Sequence, residues 1–247
     1  MLSMTITMLI ILAYTISTAN SLSSTNLEQS DSFSQYAESK MPELGYYDDY
    51  QDLRPITKDV VVYPIFTQSA YQWGGMHDFY AGYCDSCLTA PIQDYYEKTS
   101  VSSGNGYRIL EFLGYEVIDD IDIDKNPTIL EQYDKVILLH NEFVTKTEFE
   151  AIIQHPKVIY LYPHALSSEI RTDYSNNSIT LIRGPNFPDE TVFNGFDWEF
   201  DNSKYFDDWS CFDWRFYEIN NGYMLNCYPE TELPHYGYEI LKTIKSL

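Results

Sequence analysis

The chain has 247 residues, 44% of them hydrophobic and 16% aromatic with 23 Tyr, enough for one large domain with a substantial core. Lys and Arg number 15 against 37 Asp and Glu, a net charge of −22. A surface of that sign repels phosphate backbones and anionic lipids, so it argues against nucleic-acid binding and leaves cations or basic partners as the easier company.

At the amino terminus, Ile6 to Ile16 is mostly apolar and Ser17-Thr18-Ala19 offers small residues for cleavage. The pattern reads as a signal peptide over residues 1–19, too short for a comfortable membrane span, although its start carries no Lys or Arg. An uncleaved tether is the alternative. Residues 20–57 are Ser-rich, then acidic and Tyr-rich without periodicity, and read as an exposed tail or linker. The folded domain is expected over residues 58–247. Val60 to Phe66 reads as a buried first strand, with Pro64 arguing for an edge or a strand end. Thr67 to Cys87 reads as a long loop rich in Tyr, Trp and Gly, of the kind that often carries function.

Further along, Gly106 to Leu113 is a helix candidate closed by Gly114. Tyr115 to Ile123 reads as the second strand and its exit, and Asn126-Pro127 as a helix start. Lys135 to His140 is the third strand, Lys146 to Gln154 a helix, and Lys157 to Tyr162 the fourth strand. This alternation is that of a mainly parallel sheet. Ile179 to Arg183 is a further strand, after which the sequence turns aromatic and irregular, with a hairpin turn at Asn220-Asn221-Gly222 and a closing helix over Tyr238 to Ile244.

For an exported chain the four Cys are expected in disulfides, most simply Cys84 with Cys87 and Cys211 with Cys227. A zinc site is weakened by the wide second spacing, and a redox-active C-x-x-C by Asp85 beside it. Asn176-Asn177-Ser178 is a glycan acceptor pattern. Asp120, Asp122 and Asp124, with Glu131 at the twelfth place, have calcium-loop spacing, but Lys125 stands where the loop needs Gly; an acidic strand end facing a helix start is the other reading.

The most informative segment is Tyr133 to Thr145. Val136 to Leu139 is a continuous apolar run, as in a parallel strand covered on both faces, and it ends at His140, Asn141 and Glu142. Open α/β sheets place ligands at that end of their strands. Thr145 and Glu148 have capping-box spacing, with Val144 and Phe149 as a staple. A carboxylate at a buried strand tip must be paired, protonated or metal-bound, which makes Glu142 the foremost catalytic or metal-ligating candidate, with His140 on the same face. The aromatic loop could bring Tyr71, Tyr80 or Tyr83 to that edge, to hydrogen-bond Glu142 or, deprotonated, to join it on a metal. His164, after the fourth strand, reads as a capping or packing residue, with ligand or base as the alternative. No Cys occupies that turn, and Ser167 and Ser168 lack flanking Gly, so no nucleophile is visible.

Leu113-Gly114-Tyr115-Glu116-Val117, Asp122, Tyr133-Asp134 and the tip His140-Asn141-Glu142-Phe143 together resemble the large (beta) subunit of N,N-dimethylformamidase and its relatives, whose tip reads His, a variable residue, Glu and Tyr or Phe. Val158 to Leu161, Ala165-Leu166, Ile179 to Gly184 and Gly195 to Phe200 extend the resemblance, which is to a secreted archaeal branch carrying this domain alone. It covers roughly residues 58–230 and implies a three-layer, flavodoxin-like, glutamine-amidotransferase-like sandwich without the usual Cys nucleophile. It also implies an iron held by Glu and Tyr ligands that hydrolyses an amide, with Glu142 at the position of the tip Glu and Tyr71, Tyr80 and Tyr83 as candidate partners. The chain is far shorter than that subunit. Two expectations follow. One is a non-catalytic binding domain, secreted or on the cell-envelope exterior, for a small molecule or an extracellular partner. The other is a hydrolase of a small amide C–N bond using iron or another metal. Neither calls for nucleic acid or for a membrane span after signal cleavage.

Overall fold

A computed structural model describes residues 51–201 and 211–247. The expected signal peptide and the tail as far as residue 50 lie outside the described residues. Leu53 is fully buried in the core, so packing starts ahead of Asp59.

The protein is mixed α/β. Its main sheet has six strands in the order β3-β1-β4-β6-β10-β9. These are β1 (Asp59–Tyr63), β3 (Glu116–Asp119), β4 (Lys135–Leu138), β6 (Val158–Tyr160), β10 (Gly222–Leu225) and β9 (Phe216–Ile219). All neighbouring pairs are parallel except β10 with β9, the hairpin expected around Asn220-Asn221-Gly222. The central strands β1, β4 and β6 are short and buried on both sides. Val61, Ile137 and Ile159 enter one cluster, with Ile109 and Leu110 of α3 (Gly104–Phe112) and Ile240, Leu241 and Ile244 of α7 (Tyr238–Ser246). Val60, Val136 and Val158 enter the other, with Ile123 of α4 (Asp120–Lys125) and Phe149 and Ile152 of α5 (Lys146–Gln154). Alternate residues of one strand thus serve opposite faces, which is why the strands read as unbroken apolar runs.

β1 lies inside the sheet, and Pro64 falls just beyond it as the entry to α1 (Ile65–Ala70), where its missing N–H matters little. A second short helix, α2 (Met76–Tyr80), occupies the stretch expected to be loop. The chain leaves β1 for β3 on one side and returns to β4 on the other. The carboxyl ends of β1 and β4 therefore border the crevice where strand order reverses, the usual ligand position in open α/β sheets.

A second sheet, in the order β2-β8-β7-β5, was mostly unread in the sequence. It contains β2 (Thr89–Pro91), β5 (Phe143–Thr145), β7 (Ser168–Asp173) and β8 (Ser178–Arg183). Three of these are too short or too polar to show alternation. β5 follows the strand tip directly and pairs in parallel with β7, so the tip is stretched between two sheets.

Both expected disulfides are present, Cys84–Cys87 and Cys211–Cys227, and no Cys remains for zinc or thiol chemistry. Lys135 is buried at the start of β4. Its Nζ donates to the carbonyls of Ile244 and Lys245 at the end of α7 and lies 3.5 Å from Asp59 Oδ2. The final short helix before α7 is α6 (Leu233–Tyr236). Among the described residues, no helix is long and apolar enough to cross a membrane.

The calcium-loop spacing is corrected by the fold. Asp119 caps α4 by accepting from Ile121 N and Asp122 N, and Asp122 returns a bond to Asp119 N. Asp120 turns inward to Asn141 and Phe66, while Asp124 receives the hydroxyls of Thr145, Thr172 and Tyr174. The carboxylates do not converge on one point: Asp120 and Asp124 share a face of α4 but are taken by separate partners, and Asp122 is turned away to the cap.

Candidate metal centre at the strand tip

The tip after β4 bends at His140, where Asn141 N returns to the Leu139 carbonyl, and it is held from three places in the chain. His140 N donates to Ser103 Oγ, and Glu142 N and Phe143 N both donate to Thr67 Oγ1 of α1. The carbonyls of Asn141 and Glu142 accept from Leu166 N and Ser168 N. The loop supplying those last two donors is strained: His164 and Leu166 have φ of 68° and 59°. Non-glycine residues held in the left-handed region concentrate at sites where geometry is imposed by function.

This framework brings His140, Glu142 and His164 together. One ligand-capable atom of each lies within 4.8 Å of the others. His140 Nε2 is 3.4 Å from Glu142 Oε2, with side-chain exposures of 4% and 12%. The other nitrogen, Nδ1, is 2.9 Å from the Val101 carbonyl oxygen, which can only accept, so Nδ1 carries a proton. Tyr228 Oη lies 3.1 Å from the same nitrogen. Nε2 is buried and makes no hydrogen bond. A ring fixed by a carbonyl at one nitrogen, with the other aimed at a carboxylate, is the arrangement of metal-binding histidines.

Tyr71 closes the near side. Its ring stacks on His77 with centroids 4.4 Å apart, and its hydroxyl donates to Glu142 Oε2 over 2.9 Å. Burial, reinforced by the Glu142 charge, pushes the Tyr71 hydroxyl well above its ordinary value, so it stays a donor. Burial alone would also raise Glu142. The two imidazoles beside it and the Tyr71 hydroxyl together outweigh it and hold the carboxyl below its usual value. His164 is lowered, chiefly by burial, which leaves its imidazole neutral near pH 7.

Of the other tyrosines singled out in the sequence, Tyr80 borders this cluster. Its ring is 6.3 Å from that of Phe143, and its buried hydroxyl points toward Ser168 and Gly184. Tyr83 stands apart, 77% exposed. Tyr71 reaches Glu142 directly, and His140 and His164 are the further ligand-capable side chains gathered on that carboxylate. Sequence reasoning left Tyr228 and the Val101 carbonyl unseen. Tyr228 approaches through the Cys211–Cys227 region, and no local pattern marks it.

Behind the cluster lies a second carboxyl. Glu230 accepts from Tyr162 Oη at 2.6 Å and from the Asn105 and Gly106 amides at the start of α3. Burial raises it to about 7. Gly106 is required there, because a Cβ would come within 2.6 Å of Tyr162 Oη. Tyr162 in turn packs edge-on against Tyr228, with centroids 4.9 Å apart.

A cleft of about 460 Å³ lies at the opposite, amino-terminal edge of the strands, beside Tyr133 and His155, away from this chemistry. No protein-family model and no curated protein matches the chain.

Proposed function

We propose that the chain is an exported, amidotransferase-like α/β protein of flavodoxin-like layering that hydrolyses a small amide C–N bond at a mononuclear metal centre held by His140, Glu142 and His164. One observation carries the reading. The unbonded Nε2 of His140 and the Glu142 carboxylate face each other across 3.4 Å, with His164 at the third corner. Two electron-rich groups at that distance call for positive charge between them, which in this reading is a metal ion. The separation matches the edge of a tetrahedral site with bonds of ~2.1 Å, about 3.4 Å. Two imidazoles and one carboxylate suit Zn²⁺ or Fe²⁺, and the net charge of −22 draws cations to the protein.

A metal bound there would supply Lewis acidity toward a water molecule and an amide carbonyl. The chain's own groups do the rest. The Val101 carbonyl and Tyr228 fix the His140 ring, Thr67 fixes the tip backbone, and Tyr71 presents a hydroxyl proton to an amide oxygen or departing nitrogen. The strand order, with β1 between β3 and β4, supports the amidotransferase-like layering, and the two disulfides are compatible with an extracellular location.

A second reading has its own support. A proton on His140 Nε2 would also satisfy Glu142, with Tyr71 as the further donor. The cluster would then be an internal ion pair in a non-catalytic extracellular binding domain. Elemental analysis of the purified protein separates the two. Stoichiometric zinc or iron, lost in Glu142→Ala and His164→Ala variants that keep their circular dichroism, is the expected result, together with release of amine from small amides by the metal-loaded protein. Metal-free protein that takes up neither ion would overturn the reading.

A further inference from the structure

We infer that Asn176 is an N-glycosylation site of the exported protein. The acceptor pattern Asn176-Asn177-Ser178 is matched in spacing by only one other segment of the chain, Asn126-Pro127-Thr128, whose central Pro takes it out of the acceptor pattern. The fold separates the two in the same sense. Asn126 Oδ1 is occupied by the Thr128 hydroxyl at the entry to a 3-10 turn. Asn176 is exposed, at the turn joining β7 to β8.

Three features make that turn suited to carry a saccharide. Asp173 organises it by accepting from Ser175 N, Ser175 Oγ and Asn176 N, so the backbone shape does not depend on a free Asn176 side chain. Asn176 Nδ2 gives one proton to Asp173 Oδ2 at 2.7 Å. An amide nitrogen has two protons, and glycosylation replaces one, so this bond survives the modification. The turn is also remote from the metal centre. Ser168 N binds the Glu142 carbonyl at one end of β7, and Asp173 is at the other. Five residues of strand at ~3.3 Å each put about 17 Å between them. A second line of support is the disulfide pairing of every Cys, since oxidising compartments outside the cytosol are where oligosaccharides are transferred to exported chains.

The donor is a polyprenyl-phosphate-linked oligosaccharide. The bond from its anomeric carbon to the phosphate oxygen breaks, a bond from that carbon to Asn176 Nδ2 forms, and Nδ2 loses a proton as the lipid phosphate departs. The test uses full-length protein recovered from its own cells. Trypsin cuts after Arg171 and Arg183, so the tryptic peptide of residues 172–183 carries the site. Fragmentation mass spectrometry should find a saccharide on Asn176 and none on Asn126. Asn176→Gln and Ser178→Ala should remove it, and Ser178→Thr should retain it, with both disulfides still formed. An unmodified 172–183 peptide in the extracellular, disulfide-bonded protein, or protein found only inside the cell, would overturn the inference.

Discussion

Glu148→Gln should stabilise the protein increasingly as pH rises. Glu148 is fully buried on the first turn of α5, against the equally buried Asp120. Asp120 accepts from Phe66 N at 2.7 Å and from Asn141 Nδ2 at 2.6 Å, whereas neither Glu148 oxygen has a donor. Burial, with Asp120 beside it, raises Glu148 well above its usual value, and burial raises Asp120 to about 7. In the unfolded chain both titrate near 4. The native state therefore holds a proton that the unfolded state has released above about pH 5, and each pH unit removes about 1.4 kcal/mol of stability per proton held. Between pH 5 and pH 7 the retained proton alone accounts for about 2.7 kcal/mol. Gln supplies a permanent N–H donor to Asp120, so it removes the proton linkage while filling the same space. Urea unfolding of wild type and variant at pH 5, 6 and 7, with chelator present, gives the difference directly, since other titrations cancel. The stability gap should move in favour of the variant by about 1.4 kcal/mol per unit. A gap that stays constant across this range, or moves the other way, refutes the buried-proton assignment.

Lys135→Met should destabilise by about 3 kcal/mol, because it strips Asp59 and the end of α7 of their buried partner; adding Asp59→Asn should restore most of it, as read by urea midpoints. Replacing Cys211 and Cys227 with Ser should cost about 3 kcal/mol, and replacing Cys84 and Cys87 nearer 2, because the first bridge closes a loop of sequence separation 16 and the second one of 3; thermal unfolding of the two variants side by side would show the order. Tyr228→Phe should leave the fold intact and weaken zinc or iron binding about tenfold, since it removes one of two contacts that orient His140; competition with a chromophoric chelator measures this, and unchanged affinity would dismiss the role.

The legible part of this protein is the part written in local periodicity. Val136 to Leu139 announced a doubly covered strand, and the α5 limits Lys146 and Gln154 emerged as read, because Thr145 accepts from Glu148 N and Val144 and Phe149 share one apolar cluster. The capping box is only half formed. Thr145 accepts from Glu148 N, but the Glu148 carboxyl, lying between the Thr145 amide and Asp120, completes no hydrogen bond in return. Local spacing reports the cap; the tertiary neighbour decides the side chain. The site shows the same limit. His140, Glu142 and Tyr71 are marked by strand tip and aromatic loop, whereas Tyr228, Val101 and Thr67 arrive from elements distant in sequence. β7 escaped notice because its residues, Ser168 to Asp173, are mostly polar, and its pairing partners, not its composition, make it a strand.

Glu142 and Glu148 lie six positions apart, both buried, and the fold drives them to opposite charge states. Desolvation acts on each in the same direction, so it cannot be what distinguishes them. What differs is the company. Around Glu142 stand two imidazoles and a phenol, all able to answer a negative charge. Around Glu148 stand Asp120 and the field of Asp124, which add to the penalty. A carboxylate kept ionised in a dry interior retains its lone pairs and can grip a cation. A carboxyl kept neutral donates one hydrogen bond and accepts others, but has no charge with which to hold a cation. The division of labour at this sheet edge follows: the proton-holding Asp120–Glu148 pair braces Asn141 from behind through Asp120, and the charged Glu142 in front is the group with chemistry to offer.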